Sequence, residues 1–421
     1  MTEHILDELT WRGLVSQTTG DDALRAALSE GPITLYCGFD PTAPSLHIGN
    51  LVQILTVRRL QDAGHKPLLL VGGATGLIGD PKMSGERTLN PVDVVHGWVE
   101  RIRAQIEPHL SFEGDNAARM VNNYDWTKDM SAIELLRDVG RHFRLGTMIA
   151  KDTVARRLNS EEGISYTEFS YQVLQGMDYL ELYRRYGCTL QTGGSDQWGN
   201  LTAGTELVRK AEGVSVHALA TPLVTKADGT KFGKTESGTV WLDPEMTSPY
   251  AFYQFWLNQA DADVVGYLKV FTFLSREEIE RLERAVAEEP FKREAQRTLA
   301  FEVTTLVHGP DAAAAVVEAS QAIFGRGELG GLDAGTLSGV AKEVPSAVLA
   351  PGATVVDALV ESGIVESRGA ARRAIAEGGA YVNNVRVEDE QQVLAADFAL
   401  EGGWFVVRRG KKSVGLVRVE A

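Results

Sequence analysis

Short apolar runs alternate with helix-period stretches at the start of the chain. Ile33-Thr-Leu-Tyr-Cys-Gly-Phe39 reads as a strand, bounded by Gly31-Pro32 and Asp40-Pro41. A helix opens near Gly49, keeps Leu51, Ile54 and Leu55 on one face, and stops at Gly64. Pro67-Leu-Leu-Leu-Val71 is a buried-type strand closed by Gly72-Gly73. Strand, helix and strand in this order predict a parallel βαβ unit. Ligands bind such sheets off the carboxyl ends of the strands, where loops 38–50 and 72–82 fall.

Helical patterning dominates from about 127 to 187. A strand-like stretch, Leu190 to Thr192, leads into Gly193-Gly-Ser-Asp-Gln-Trp-Gly-Asn200. Residues 248–324 read as all-helical, with Ser275 and Glu278 at capping-box spacing and Ile279, Leu282 and Val286 on one face. Residues 325–353, rich in Gly, Pro, Ala and Ser, read as a linker, and the remainder returns to a mixed α/β pattern. The predicted division is therefore 1–247, 248–324, the linker 325–353, and 354–421.

Composition narrows the classes. The chain has 421 residues, enough for a prior of roughly three domains. Its two cysteines, Cys37 and Cys188, are too few for a disulfide framework or a cysteine-rich zinc site, so a reducing compartment is expected. The acidic start MTEHILDELTWRG lacks the pattern of a signal peptide, and the apolar stretch Leu68 to Gly79 is too short to span a bilayer. A formal net charge of −15 argues against a general polyanion binder. The last stretch differs, because Arg408, Arg409, Lys411, Lys412 and Arg418 lie close together against Glu420.

Several loops carry candidate chemistry. Asp40-Pro-Thr-Ala-Pro-Ser-Leu-His-Ile-Gly-Asn50 ends a strand and opens a helix, whose free N–H groups attract phosphate. Thr42, His47 and Asn50 add donors, although an ordinary strand-to-helix loop fits the spacing equally. Val224-Thr-Lys-Ala-Asp-Gly-Thr-Lys-Phe-Gly-Lys-Thr235 places Lys231, Lys234 and Thr235 among glycines. A P-loop would need Gly where Asp228 stands, so that motif is rejected, and a solvated basic hairpin stays open. Tyr171, Gln175 and Asp178 form a polar stripe on a helix that otherwise carries Val173, Leu174, Met177 and Leu180. That stripe suits either a small polar ligand or solvent. Asp80, Asp196 and Gln197 follow glycine-rich turns and fit turn formers as well as ligands.

Together these residues resemble a class I aminoacyl-tRNA synthetase, and more narrowly the bacterial tyrosyl-tRNA synthetases. His47-Ile-Gly-Asn50 is similar to the HIGH signature, with Asn in the last place, and Lys231-Phe-Gly-Lys-Thr235 to the KMSKS loop, with Thr for the last Ser. Tyr36-Cys-Gly-Phe-Asp-Pro-Thr42, Gly194-Ser-Asp-Gln-Trp-Gly-Asn200 and the Tyr171/Gln175/Asp178 helix resemble the tyrosine enzymes specifically. Lys82-Met-Ser-Gly85 imitates the start of KMSKS but lies too near His47, and reads as a separate loop.

The resemblance implies an α/β fold: a Rossmann-like parallel-sheet catalytic domain, then an α-helical domain, then a small α+β S4-like RNA-binding domain. It implies ATP-dependent activation of L-tyrosine and its transfer to tRNA(Tyr), with Mg²⁺ arriving on ATP, no protein metal cage, a cytoplasmic homodimer and no membrane. Carried over position by position, Thr42, His47, Lys82, Arg87, Lys231, Lys234 and Thr235 would hold the leaving pyrophosphate. Tyr36 and Asp178 would bracket the phenol, Asp80, Tyr171 and Gln175 the ammonium, and Gln197 the carboxylate. Cys37, Asp40, Asn50, Gly194, Asp196 and Lys234 would line the ATP site. Arg368, Arg372, Arg373, Lys411 and Lys412 would face RNA.

Three rivals were weighed. A tryptophanyl-tRNA synthetase is disfavoured by Tyr36 and Asp178, because an indole only donates whereas a phenol donates and accepts. A non-catalytic RNA-binding paralogue would lack the phosphate-handling Lys231 and Lys234. A general NTPase is disfavoured by the incomplete P-loop.

Overall fold

The computed structural model describes residues 3–82, 85–227, 229–230, 232–235, 238–325, 327–410 and 413–420, with Lys234 and Thr235 described in their backbone alone. Lys231, Lys411, Lys412 and the side chains of Lys234 and Thr235 therefore lie outside the described residues. Residues 1–243 with 265–279 form one compact unit, and residues 244–264 with 280–421 form another.

The first unit is built on a six-stranded sheet of β1 (Gln17–Thr18), β2 (Thr34–Phe39), β3 (Lys66–Val71), β4 (Arg119–Asn122), β5 (Cys188–Gly194) and β6 (His217–Thr221), in the order β1-β6-β5-β2-β3-β4. Strands β2 to β6 are parallel, and only the edge strand β1 runs antiparallel. The expected βαβ unit is present. In register, Tyr36 lies opposite Leu68 and Phe39 opposite Val71, with the helix Ile48–Asp62 between the two strands in sequence. Pleating sends Tyr36 and Cys37 to opposite faces. Tyr36 joins a core of Leu68, Leu70, Val121, Met177, Tyr179 and Leu180, so the long helix Tyr166–Tyr186 covers that face. Ser165 caps the start of this helix, and Gly187 ends it in the left-handed conformation at φ 64°. The helical stretch expected before it is broken into short pieces, among them Leu145–Ile149 and Asp152–Leu158.

Residues 265–279 return to the first unit, where two buried arginines hold them. Arg59 donates to the carbonyls of Val270 (3.1 Å) and Thr272 (2.6 Å), and Arg12 to those of Lys269 (2.9 Å), Thr272 (3.1 Å) and Leu274 (2.9 Å). Cations at a helix C-terminus satisfy carbonyls that have no partner within the helix. Burial pushes Arg59 down to about 9.

In the second unit, helices Pro249–Leu257, Glu294–His308 and Pro310–Ile323 carry out the all-helical expectation. The predicted linker does not. Residues 325–353 contain the helix Ala334–Ala341 and a strand, Ser346–Leu349. Asp333 caps the helix by accepting the Thr336 N–H at 2.9 Å, and Leu337 and Val340 are fully buried. A short helix of small residues carries little periodicity, which hid it among turn-forming residues.

Ser346–Leu349 pairs in parallel with Ser413–Val419 at the edge of a five-stranded sheet. The other strands are Ala380–Val382, Val385–Arg386 and Trp404–Arg409. Helices Val355–Glu361 and Arg368–Ala376 contribute Val355, Leu359, Ala371 and Ile375 to a core completed by Val382, Phe405, Val407 and Val417.

Replacing Arg59 by Met keeps the apolar stem and strands buried carbonyls, at a cost of about 2 kcal/mol. Urea unfolding of Arg59→Met should show a lower midpoint, and an unchanged midpoint would refute the clamp.

Candidate active site

The polar stripe of the Tyr166–Tyr186 helix faces inward, with Tyr171 and Asp178 only 6% and 1% exposed. Asp178 has neutral donors on both carboxylate oxygens: Asn123 Nδ2 and Trp126 Nε1, each at 2.9 Å. Burial pushes Asp178 up to about 7, against the pull of those two bonds. Tyr36 is 1% exposed, its hydroxyl has no protein partner, and the Asp178 charge helps raise it well above the usual phenol range after burial itself. Gln175 Oε1 is buried with no protein partner either. Buried polar atoms are nearly always paired, so two orphans flanking one carboxylate mark a place for a ligand with its own donors and acceptors.

A continuous chain of hydrogen bonds leads away from Asp178. Asn123 Nδ2 also donates to Thr75 Oγ1 (2.9 Å), Thr75 Oγ1 to Asp40 Oδ1 (2.6 Å), and the Tyr171 hydroxyl to Asp40 Oδ2 (2.6 Å). Tyr171, expected at the ammonium, and Asp40, expected at ATP, are thus bonded to each other. Gly72 at the end of β3 permits this, because a Cβ there would overlap both Asp40 Oδ1 and Thr75 Oγ1.

Asp80 belongs to a second cluster. It accepts from Gln197 Nε2 (3.0 Å) and Asn200 Nδ2 (3.2 Å). Lys151 Nζ lies 3.9 Å from Asp80 Oδ1 and donates to Asn200 Oδ1 at 2.7 Å. Gln197 and Asp196 sit on a 3₁₀ turn just after β5, which ends in Gly194. Cys37 is 1% exposed in β2, and burial pushes its thiol up to about 12. It is a wall residue rather than a reactive group.

At the phosphate end, His47 caps the Ile48–Asp62 helix. Its Nδ1 accepts the Gly49 N–H at 3.0 Å, and Asn50 Oδ1 accepts the His47 N–H at 3.1 Å, closing a capping box. Asn50 therefore turns its carbonyl toward the backbone. The lysine loop meets this helix start. Gly233 O accepts from Val240 N (3.1 Å), and Val240 O accepts from Ile48 N (3.2 Å). A Cβ on Gly233, at φ 82°, would lie 2.9 Å from Ile48 Cγ1. Phe232 of the same loop stacks on Tyr267 and Phe271, with centroids 4.4 and 5.6 Å away. Thr42 and Lys82 are exposed, and Arg87 Nε donates to Asp80 O at 2.5 Å.

The C-terminal basic set is partly neutralised. Arg368 pairs with Asp357 at 2.5 Å and Arg372 with Glu390 at 3.4 Å, while Arg373 is exposed. Arg408, counted in the sequence among the clustered cations, is 8% exposed. It lies over the Tyr381 ring and donates to Phe324 O, so it is not part of a surface footprint.

Sequence reasoning missed Asn123, Trp126, Thr75, Lys151 and Asn200. Asn200 closed a quoted motif and still went unassigned. The others are common residue types whose partners are distant in sequence, and no spacing rule points to them.

Residues 28–325 match the family model of class I tRNA synthetases (W and Y), and residues 336–417 match the C-terminal domain of tyrosine–tRNA ligases. The first model covers enzymes for two amino acids, so it defines the class and not the substrate. Closer relatives narrow it. The chain is 66% identical over 416 residues to the tyrosine–tRNA ligase of Streptomyces avermitilis, covering 99% of both chains, and 64% identical to that of Streptomyces coelicolor. A C-terminally truncated mitochondrial tyrosyl-tRNA synthetase from Coccidioides posadasii superposes with a TM-score of 0.68 at 33% identity, over 76% of this chain and 92% of that one. The chain belongs to the tyrosine–tRNA ligase family.

Because Asp178 is raised from 3.8 to about 7 in the folded protein, its contribution to stability is fully present below about pH 4 and is lost as pH rises through 7. The melting temperature of the unliganded protein should carry this slope, and Asp178→Ala should flatten it. An unaltered pH profile in the variant would show that Asp178 is not the titrating group.

Proposed function

We propose that this chain couples ATP to the activation of L-tyrosine and loads the product onto the 3′ end of tRNA(Tyr). The observation that carries this is the pocket floor, a buried Asp178 beside the unpartnered Tyr36 hydroxyl. A phenol can donate to one and accept from the other. Phenylalanine would leave both unpaired, and an indole could satisfy only the acceptor. Asp80, with Gln175, binds the substrate ammonium, and Gln197 its carboxylate. Asp80 already accepts two amide donors, so its charge is held in place before the ammonium arrives.

In the first step a tyrosine carboxylate oxygen forms a bond to the α-phosphorus of ATP, and the bond to the bridging oxygen breaks, releasing pyrophosphate. The nucleophile is already ionised, so the residues position and neutralise rather than remove a proton. His47, at a helix N-terminus, with Thr42, Lys82, Arg87, Lys231, Lys234 and Thr235, receives the departing charge. The contact of Gly233 with Ile48 supports a shared site for the two signature segments. Mg²⁺ rides on the triphosphate, ligated by phosphate oxygens and water. In the second step the tRNA 3′-terminal ribose hydroxyl attacks the tyrosyl carbonyl and AMP leaves.

Residues 354–421, with Arg368, Arg372, Arg373, Lys411 and Lys412, make the RNA contact. A homodimer is supported by exposed apolar side chains at Ile133 (69%), Leu136 (56%) and Leu145 (66%), a density unusual for free surface. The two cysteines are free and buried, which suits a reducing cytoplasm. Among the described residues no helix is long and apolar enough to cross a membrane.

Exchange of pyrophosphate into ATP should depend on tyrosine and run poorly with tryptophan or phenylalanine, and equal rates with all three would discard the assignment. Tyr36→Phe should lose about 1 kcal/mol of preference for tyrosine over phenylalanine. Arg372→Glu with Arg373→Glu should leave that exchange intact while weakening tRNA charging and lowering its salt dependence. A parallel loss of exchange would remove these arginines from RNA binding.

A further inference from the structure

The loop that follows Asp80 is fastened from below by a charged pair that no step of the reaction uses. Arg157, on the short helix Asp152–Leu158, and Glu168, in the first turn of the Tyr166–Tyr186 helix, form an ion pair at 2.9 Å with both side chains only 2% exposed. Arg157 spends its remaining donors on backbone. Nη1 reaches Gly85 O at 2.6 Å and Lys82 O at 3.3 Å, and Nε reaches Gly163 O at 3.0 Å. Glu168 Oε1 accepts the Arg87 N–H at 3.0 Å. The pair thus grips the backbone of both residues whose side chains are assigned to pyrophosphate, Lys82 and Arg87. Arg87 closes the loop on itself through the Asp80 carbonyl.

The position of Glu168 sharpens the point. Ser165 and Glu168 have capping-box spacing, and Ser165 Oγ accepts the Glu168 N–H at 3.3 Å. The return bond is not made, since the carboxylate is diverted to the loop and to Arg157. Burying two charges is a poor route to stability, because desolvation offsets most of their attraction. Buried pairs are better suited to holding one arrangement against others.

We propose that Arg157 and Glu168 are positioning residues for pyrophosphate departure, a strut that fixes Lys82 and Arg87 without touching substrate. The inference rests on the reading of Lys82 and Arg87 given above. It assigns the strut to the phosphate half of the reaction and not to tyrosine recognition, although Asp80 adjoins the same loop.

The test compares Glu168→Gln, Glu168→Asp, Lys82→Ala and the double variant Glu168→Gln/Lys82→Ala. Each is measured for tyrosine-dependent pyrophosphate exchange, for KM of pyrophosphate, and for tyrosine Kd by equilibrium dialysis. Glu168→Gln should lower kcat and raise the pyrophosphate KM, with a combined loss of about 10- to 100-fold. Its tyrosine Kd should stay within about twofold of wild type. Glu168→Asp, which keeps the charge, should recover part of the loss. The double variant should be no worse than the weaker single one, because both changes remove the same contact.

Equal loss of tyrosine binding, or additive effects in the double variant, would overturn the strut. If Lys82→Ala alone is silent, the pyrophosphate reading falls. If Lys82→Ala is impaired and Glu168→Gln is not, only the strut falls. Where Glu168→Gln does not fold, Arg157→Lys, which keeps the charge but loses the fork, carries the same comparison.

Discussion

A carboxylate taken out of water without a cation beside it must be solvated by something fixed. Asp178 is in that position, and Asn123 and Trp126 provide the solvation. From that need follows much of the site's layout. Asn123 has to stand just past β4, Thr75 just past β3 and Asp40 just past β2 for the chain of bonds to close on Tyr171. Three parallel strands ending together make this possible. The arrangement leaves Tyr36 and Gln175 with unpaired atoms, so the pocket is rigid where it is satisfied and receptive where it is not.

The two halves of the proposed chemistry sit on different kinds of support. The amino-acid end rests on the bonded chain from Asp178 and on the Asp80, Gln197, Asn200 and Lys151 cluster, all tied to regular elements or the turns that end them. The phosphate end rests on a helix N-terminus and on two loops, one seated by aromatic rings and one gripped by Arg157 and Glu168. Recognition of a rigid small molecule asks for a fixed floor, whereas expelling a charged product asks for segments that can approach and withdraw.

Much of this was legible in the residues themselves. The βαβ unit showed because apolar runs and turn residues are local signals, and His47, Tyr36 and Asp178 showed because their motifs lie within a few residues of one another. Asn123 and Trp126 did not, since their value lies in contacts to Asp178 more than fifty positions away. Local pattern cannot report such pairs. The helix Ala334–Ala341 escaped for a different reason. Its small side chains have the composition of a turn, and only the burial of Leu337 and Val340 distinguishes it. Arg408 shows the same limit for charge, because counting cations does not reveal which of them are stacked on a ring and hidden.

The seat of Phe232 on Tyr267 and Phe271 has a thermal consequence. The lysine-bearing loop can swing away only by peeling one aromatic ring off two others, so its resting place is governed by apolar contact. Such contact loosens on cooling, unlike an ion pair or a hydrogen bond. The latch is therefore tuned to warmth: chilling frees the loop sooner than it disturbs the bonded floor beneath the amino acid.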